Sequence, residues 1–154
     1  MRLSLSKAIA VGISALVVAT CVPMISEASN YTDSAFTFNV SATGGAGCVS
    51  DTGRNKEDDS SSYMYCTSYQ KTYSQGTGST YVATAYGSTC QVKGTFHNCN
   101  YRGNTAPSYS LSSGVKKYLT NYIYESGCRF ATIYCSTNYT TYAKFSGLWS
   151  PDSV

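Results

Sequence analysis

The stretch FTFNV at residues 36–40 alternates large apolar side chains with polar ones. Successive side chains of a β-strand point to opposite faces of a sheet, so this alternation is typical of a strand with one buried face. Three further stretches are rich in aromatic and β-branched residues, which also favour strands: residues 62–68 (SYMYCTS), 80–86 (TYVATAY) and 128–135 (CRFATIYC). With a last strand over residues 139–145, the sequence predicts a mainly β fold.

The spacing of these strands indicates how they are organised. Short strands separated by turn signals, such as the glycine-rich residues 75–79, favour a single β-sandwich-like domain, and a small barrel is the alternative. Residues 41–60 are rich in glycine and then in charged residues, a composition typical of loops. We therefore expect a long exposed loop between the first two strands.

One segment, residues 114–125, has a helical period. Ser113 suits the start of a helix and Gly127 its end. Against a helix, Lys116 and Lys117 would lie at the positive end of the helix dipole, and the aromatic and β-branched content favours a strand. We predict a short α-helix here, with a strand as the alternative. The apolar residues that share its one face are Val115, Tyr118, Leu119, Tyr122 and Ile123.

Residues 1–28 have the composition of a secretory signal peptide, with basic residues near the start and an apolar run over residues 8–19. That run is shorter than the roughly 20 residues that span a bilayer. Small residues before position 29 predict cleavage after Ala28. Acylation of Cys21, as in a lipoprotein, is the alternative, and the threonine before it disfavours that reading. We expect a single secreted domain over residues 29–154, with no membrane insertion after cleavage.

The charge of the chain excludes one class of partner. Charged residues make up 12% of the sequence, about half of the roughly 25% in an average soluble domain. Eleven basic and eight acidic residues give a formal net charge of +3. The basic residues are scattered along the chain, whereas binding to a phosphate backbone requires many of them on one surface. Nucleic acid is therefore not an expected partner.

Six of the seven cysteines lie after the leader. An even number of cysteines in an exported protein predicts disulfides, and the close spacing typical of structural zinc sites is absent from the sequence. We expect three disulfides that staple the domain, and the sequence leaves most of their connectivity open. The cysteines are Cys48, Cys66, Cys90, Cys99, Cys128 and Cys135.

One disulfide can be predicted from local geometry. If Gly94 and Thr95 form a two-residue hairpin turn that begins with glycine, Cys90 lies directly opposite Cys99 on the paired strand. The same test rejects a bridge within residues 128–135, because its turn would need residues that tolerate a positive φ. Residues seven apart on a strand also face opposite sides. We predict a Cys90–Cys99 disulfide, whereas the partners of Cys48, Cys66, Cys128 and Cys135 stay open.

The sequence has no recognisable catalytic constellation. Its one histidine, His97, lies in the predicted hairpin, and no serine occupies a nucleophile-elbow motif. We therefore predict a protein that is not an enzyme and that needs no cofactor. A weak candidate for a hard-cation site lies in the predicted loop, although Arg54 and Lys56 would repel the ion and a solvated loop is the plainer reading. Its carboxylates belong to Asp51, Glu57, Asp58 and Asp59.

Fifteen tyrosines are the most unusual feature of the composition. A tyrosine side chain offers a large rigid surface with a polar tip, which suits contact with sugars or with another protein. Tyrosine is also favoured in strands, so part of this set is expected only to pack. The single tryptophan, Trp149, is expected in the core.

The C-terminal sequence SGLWSPDS at residues 146–153 resembles the ends of small exported proteins of Gram-positive bacteria that finish in G-x-W-S-P-D-S. Residues 118–127 and Ala131 extend the resemblance over about the last third of the chain. The resemblance implies a bacterial secreted protein and supplies no activity and no catalytic residue. The cysteine framework is not part of the pattern.

Two functions remain open on the sequence. The first is a secreted non-catalytic module that binds a cell-wall, glycan or surface-protein ligand through exposed tyrosines. The second is a secreted antimicrobial or toxin-like protein, which small size, export and mild positive charge would suit. The sequence identifies neither the ligand nor the oligomeric state.

Overall fold

The computed structural model describes residues 31–41, 44–71, 79–137 and 142–153. The expected signal peptide over residues 1–28 and most of the predicted turn at 75–79 lie outside these ranges. The described residues form eleven strands, which we label in chain order: β1 (Ser34–Val40), β2 (Gly45–Cys48), β3 (Arg54–Asn55), β4 (Ser62–Lys71), β5 (Thr80–Ser88), β6 (Asn100–Tyr101), β7 (Asn104–Thr105), β8 (Tyr109–Ser112), β9 (Lys116–Leu119), β10 (Phe130–Thr137) and β11 (Ala143–Ser150).

The strands form antiparallel sheets. A four-stranded sheet has the order β1-β11-β4-β9, and a five-stranded sheet has the order β2-β10-β5-β8, with β3 also paired to β10. Strands β6 and β7 form a small separate hairpin. The described ranges contain no α-helix, and therefore no apolar helix long enough to cross a membrane. The predicted mainly β fold is confirmed.

The buried faces of the two large sheets share one core. In β1, Phe36, Phe38 and Val40 are buried while the residues between them are exposed, as the alternation predicts. Tyr81 of β5 crosses from the five-stranded sheet and packs on β1 and β11 of the other sheet. Its ring centroid lies 5.7 Å from that of Phe38 and 4.7 Å from that of Phe145.

The last strand is displaced from its predicted position. β11 runs over Ala143–Ser150 rather than over residues 139–145, of which 139–141 lie outside the described ranges. It pairs with β1 on one side and β4 on the other, so it is a central strand. Trp149 near its end is buried in the core, where the sequence placed it.

The predicted helix over residues 114–125 is wrong. Residues 116–119 form β9, which pairs with β4 at the edge of the four-stranded sheet. The residues after it close a single turn, in which the Cys128 N–H donates to the Ile123 carbonyl at 3.0 Å and Gly127 has a φ of +86°. Pairing with β4 satisfies the backbone without placing two lysines at the positive end of a helix dipole, and lysine is well tolerated on an edge strand.

The segment 41–60 is not the long exposed loop that its composition predicts. It contributes β2 and β3, both of which pair with β10. Lys56 is completely buried, although a lysine in a charged, glycine-rich run is usually exposed. A buried carboxylate far along the chain provides the reason, and composition alone does not reveal it.

The predicted hairpin over residues 90–99 does not form. The Thr95 N–H donates to the Val92 carbonyl at 3.3 Å, so the turn spans residues 92–95 and begins one residue earlier than predicted. Gly94 is the third residue of this turn and has a φ of +84°. Glycine at that place is typical of a type II turn, which splays the flanking strands rather than pairing them. His97 pairs instead with Gly87 of β5.

Candidate ligand-binding cleft

Tyrosines lie in a row on the outer face of β4 and β9. Because Met64 of β4 faces the core, its neighbours Tyr63 and Tyr65 point away from it. The antiparallel register places Tyr118 of β9 opposite Tyr63 and Lys116 opposite Tyr65. Residues directly opposite each other share a face, so the four side chains form one continuous surface.

These side chains contact one another in pairs. The rings of Tyr63 and Tyr118 lie 5.8 Å apart between centroids and are tilted by 49°. The Lys116 ammonium lies 4.9 Å from the centroid of the Tyr65 ring, within the range of a cation–π interaction. Tyr118 nevertheless remains 59% exposed, so its ring is available to a ligand.

The row continues into a surface cleft of about 240 Å³ at the end of the four-stranded sheet. Aromatic side chains form part of its wall, and polar groups from the end of β11 and the residues after it form the rest. We call it the tyrosine cleft. It is lined by Tyr31, Asp33, Tyr63, Lys116, Tyr118, Ser150, Asp152 and Ser153.

An ion pair stabilises the residues beneath the cleft. Lys56 Nζ lies 2.7 Å from Asp152 Oδ1, and both side chains are completely buried. Asp58 Oδ1 lies 3.7 Å from the same ammonium. The second oxygen of Asp152 accepts a hydrogen bond from the Glu57 backbone N–H at 3.3 Å. Buried charges are tolerated when they are paired and hydrogen-bonded, so the pair holds the 56–58 segment against the C-terminal residues.

The C-terminal residues also bind the start of β4. The Ser62 hydroxyl donates to the Pro151 carbonyl at 2.8 Å. The Ser153 N–H donates to the Ser60 hydroxyl at 3.1 Å. The motif on which the sequence resemblance depends therefore has a structural role here, since it holds distant strand ends together where the cleft is built.

The polar groups of the cleft include both signs of charge. Asp33 offers carboxylate oxygens as acceptors, whereas Lys116 offers an ammonium as a donor. Burial, assisted by the Asp33 carboxylate and the neighbouring Tyr118 and Tyr65, raises the pKa of the Tyr63 hydroxyl. Tyr63 therefore stays protonated and can donate a hydrogen bond at neutral and mildly alkaline pH.

The four carboxylates of the candidate cation site do not converge in the structure. Asp51 pairs with Lys93 at 2.8 Å, on an exposed surface. Asp58 accepts from the Ser60 N–H at 2.9 Å and faces the Lys56 ammonium. Two of the four candidate carboxylates, those of Asp51 and Asp58, therefore lie beside lysine ammonium groups.

The structure gives all six described cysteines as free thiols, but it places them unevenly. Cys90 is exposed, with its sulfur 3.7 Å from the Ser88 hydroxyl. Cys99 is buried, with its sulfur 3.0 Å from that of Cys128. The predicted Cys90–Cys99 pairing loses its geometric basis, because the hairpin that would align the two residues is not formed.

Two other cysteines face the core from opposite sheets. Cys66 of β4 and Cys135 of β10 are buried close to the Tyr81 hydroxyl. Burial raises the pKa of both thiols. Cys48 lies opposite Tyr134 on β10, next to the position of Cys135, and is therefore directed to the outer face.

The tyrosine cleft is the candidate binding site that sequence reasoning missed. Its residues come from the segment before β1, from β4 and β9, and from the end of β11 and the residues after it, so they are far apart in the chain. The abundance of tyrosine was the available signal. Reading residues 114–125 as a helix concealed that Tyr118 lies opposite Tyr63.

The fold and the cleft define a small antiparallel β protein with an aromatic and polar surface depression. Residues 24–153 match the family described as "Protein of unknown function (DUF2712)", and the chain belongs to that family. The match includes every described residue. No curated protein and no solved structure matches the chain.

Proposed function

We propose that the protein is a secreted, disulfide-stapled, β-sandwich-like module of a Gram-positive bacterium that binds an extracellular glycan through the tyrosine cleft. The observation that carries the proposal is the ring contact between half-buried Tyr63 and exposed Tyr118, beside charged and hydroxyl groups. The composition of residues 1–28 and the even number of cysteines in residues 29–154 support export.

The chemistry of the cleft suits a sugar. A sugar ring presents apolar C–H groups on its faces and hydroxyl groups around its edge, and a tyrosine likewise combines an apolar ring with a polar tip. Tyr118 offers the ring face, whereas Asp33 and Lys116 offer an acceptor and a donor for hydroxyl groups.

The size of the cleft limits what it can hold. Pockets for drug-sized ligands occupy about 300–1,000 Å³, whereas this cleft occupies about 240 Å³. We therefore expect it to hold about one or two sugar units of a longer chain at a time. Such a site gives weak affinity by itself, and repeated units of a cell-wall polymer would raise it through avidity.

The proposal is tested by retention on insoluble glycans. The full chain is produced in an exporting bacterial host, and the protein recovered is incubated with cell-wall polysaccharide and peptidoglycan. Tyr118→Ala should reduce the bound fraction about tenfold, in line with the roughly 1–2 kcal/mol that a stacked aromatic contributes. Tyr63→Phe keeps the ring and should reduce binding less.

Tyr142→Ala is the matched control. Tyr142 is 46% exposed and immediately precedes β11, at the opposite end of that strand from the cleft. Its replacement should leave retention unchanged. Equal retention of the folded Tyr118→Ala variant and the original protein on every glycan tested would contradict the proposal.

A further inference from the structure

Two buried sulfur atoms lie side by side at a junction of three segments. The segments are β5, residues 97–99 and the turn at residues 123–128. Cys99 is 1% exposed and Cys128 is 4% exposed. Their sulfur atoms are 3.0 Å apart, which is closer than the roughly 3.5–4.0 Å at which non-bonded heavy atoms usually pack. The two residues are separated by 29 positions in the chain, so no local geometry forces the approach.

Backbone hydrogen bonds fix each cysteine independently of the other. On one side, the His97 N–H donates to the Gly87 carbonyl at 3.1 Å and its carbonyl accepts from the Gly87 N–H at 2.9 Å, which anchors the segment that leads to Cys99. On the other side, the Cys128 N–H donates to the Ile123 carbonyl at 3.0 Å. The backbone positions of both cysteines are therefore held by ordered structure.

A glycine in β5 provides the space for the sulfur pair. A Cβ atom on Gly87 would lie 2.7 Å from the Cys99 sulfur and 2.8 Å from Ile123 Cγ2. Both distances are shorter than any ordinary contact, so a side chain at this position would displace the pair. The junction is therefore built around the two sulfur atoms.

We propose that Cys99 and Cys128 form a disulfide in the exported protein. Two S–H bonds break and one S–S bond forms, with the release of two protons and two electrons. The electrons pass by thiol–disulfide exchange to the disulfide of an oxidised thiol–disulfide oxidoreductase, which becomes a dithiol. The oxidising compartment that this step requires follows from the export proposed above.

The position of the bridge connects it to the tyrosine cleft. The chain between Cys99 and Cys128 contains β6 to β9, including the edge strand that carries Lys116 and Tyr118. A bridge closes this segment into a loop whose two ends are both attached to the five-stranded sheet. It therefore limits how far the cleft strand can separate from β4 during local unfolding.

Burial also sets when the bond forms and how stable it is to reductants. Burial and the neighbouring Cys128 raise the pKa of the Cys99 thiol to about 12. Because the thiolate is the reactive form, exchange is slow once the pair is buried, and it proceeds while the junction is still open during folding. The completed bond is inaccessible to reductants in the folded protein.

The rival occupant of the junction is a soft metal cation. His97 Nε2 lies 3.9 Å from the Cys99 sulfur, and the ligand atoms of His97, Cys99 and Cys128 all lie within 4.8 Å of one another. Two thiolates on one tetrahedral zinc ion, with Zn–S bonds of about 2.3 Å, are held roughly 3.8 Å apart. A structural zinc site is closed by four protein ligands, whereas the cluster among the described residues supplies three, which favours the disulfide.

The test is disulfide mapping of the full chain recovered from an exporting host. The protein is unfolded without reductant, alkylated, digested without reduction and analysed by mass spectrometry. We expect one linked pair of peptides containing Cys99 and Cys128, lighter by two hydrogen atoms than their sum. The link should survive reductant under native conditions and should be lost when a denaturant is added.

Variants provide a second readout. Cys99→Ser and Cys128→Ser should each lower the melting temperature by roughly 10 °C, and the double variant should lower it no further, since either change removes the same bond. Cys90→Ser is the matched control, because Cys90 is exposed and lies outside the junction. It should leave the melting temperature unchanged.

Three results would overturn the proposal. They are alkylation of Cys99 or Cys128 in protein that is unfolded without reductant, a link from Cys99 or Cys128 to a different cysteine, and stoichiometric zinc that is lost with His97→Ala. Refolding of the denatured, reduced full chain with a small-molecule disulfide separates this outcome from export, because both thiols are accessible until the junction closes. Pairing in that sample supports the bridge even if the chain is not secreted or does not bind glycans.

Discussion

Lys56 and Asp152 are charged residues that lie entirely inside the protein and 96 positions apart in the chain. Removing two charges from water is costly, and their mutual attraction compensates only when the geometry is good and the remaining polar atoms find partners. Here the Asp152 carboxylate also accepts from the Glu57 N–H, and the Lys56 ammonium lies near Asp58. We infer that the pair specifies how the C-terminal residues dock.

Asp152→Ala should lower the free energy of unfolding by roughly 3–5 kcal/mol, because it leaves the Lys56 ammonium buried without its closest carboxylate. Lys56→Ala should have an effect of similar size, because it leaves the Asp152 carboxylate buried without the lysine ammonium. Urea denaturation followed by tyrosine and tryptophan fluorescence measures both. The double variant Lys56→Met/Asp152→Leu, which removes both charges, should recover most of the loss.

The exposed pair of Lys93 and Asp51 provides the control, since its side chains are 76% and 59% exposed. Lys93→Ala should leave the urea midpoint unchanged, because exposed ion pairs contribute little. If Lys93→Ala and Lys56→Ala lowered the free energy of unfolding equally, burial would not explain why the Lys56–Asp152 pair stabilises the fold.

At the scale of elements, strands with a strict period of two were predictable and segments with an ambiguous pattern were not. Residues 36–40 became the core of β1 because their pattern fits one structure only. Residues 114–125 carry apolar side chains at helical spacing, yet part of the segment is a strand. The backbone partners that β4 offers to Lys116–Leu119 lie some 50 positions earlier in the chain and leave no local signal.

The cleft was less predictable than the strands. Composition indicated that tyrosines were available, but it could not indicate which of them meet. Tyr63 and Tyr118 become neighbours only through the register of β4 and β9, and Ser150 joins them only because β11 is central. A one-residue change of register would turn Tyr63 into the core, so the site depends on precise pairing rather than on any motif.

Gly147 in β11 is a position at which the pairing of β11 with β4 leaves no room for a side chain. The register between β11 and β4 shifts between Ser146 and Gly147, as in a β-bulge. A Cβ atom on Gly147 would collide with the backbone carbonyl oxygen of Tyr65 and would lie 2.7 Å from Phe36 Cε1. Gly147→Ala should therefore lower the free energy of unfolding by about 3 kcal/mol or more, since backbone cannot move aside as a side chain can. Urea denaturation measures the loss.

Gly47→Ala is the matched control for this strand glycine. Gly47 lies in β2, and a Cβ atom there would have nothing within 4 Å. Its replacement should leave stability equal or slightly higher, because alanine reduces the freedom of the unfolded chain. A tolerated Gly147→Ala would show that β4 and β11 can adopt another register.

At the scale of the whole molecule, the side chain of Tyr81 lies between the two large sheets. Tyr81 is completely buried, packs on Phe38 and Phe145, and places its hydroxyl beside Met64. Burial, with smaller effects from Cys135 and Cys66, raises the pKa of this hydroxyl far above its usual value. The packing of the sheets therefore depends on the neutral form of Tyr81, which couples the stability of the whole fold to alkaline pH.

The fold should lose stability above pH about 10, the usual tyrosine pKa. In that range the unfolded chain releases the Tyr81 proton while the folded chain retains it, so the unfolded state is favoured as the pH rises. The loss should be roughly 1.4 kcal/mol for each pH unit above that value. Tyr81→Phe should remove this part of the slope, and the remainder should come from the buried thiols of Cys66 and Cys135 and from Tyr63 and Tyr86, whose pKa values burial also raises. Urea midpoints measured from pH 8 to about 11.5 in both proteins give the two slopes, and parallel slopes would show that Tyr81 ionises as easily inside the fold as outside it.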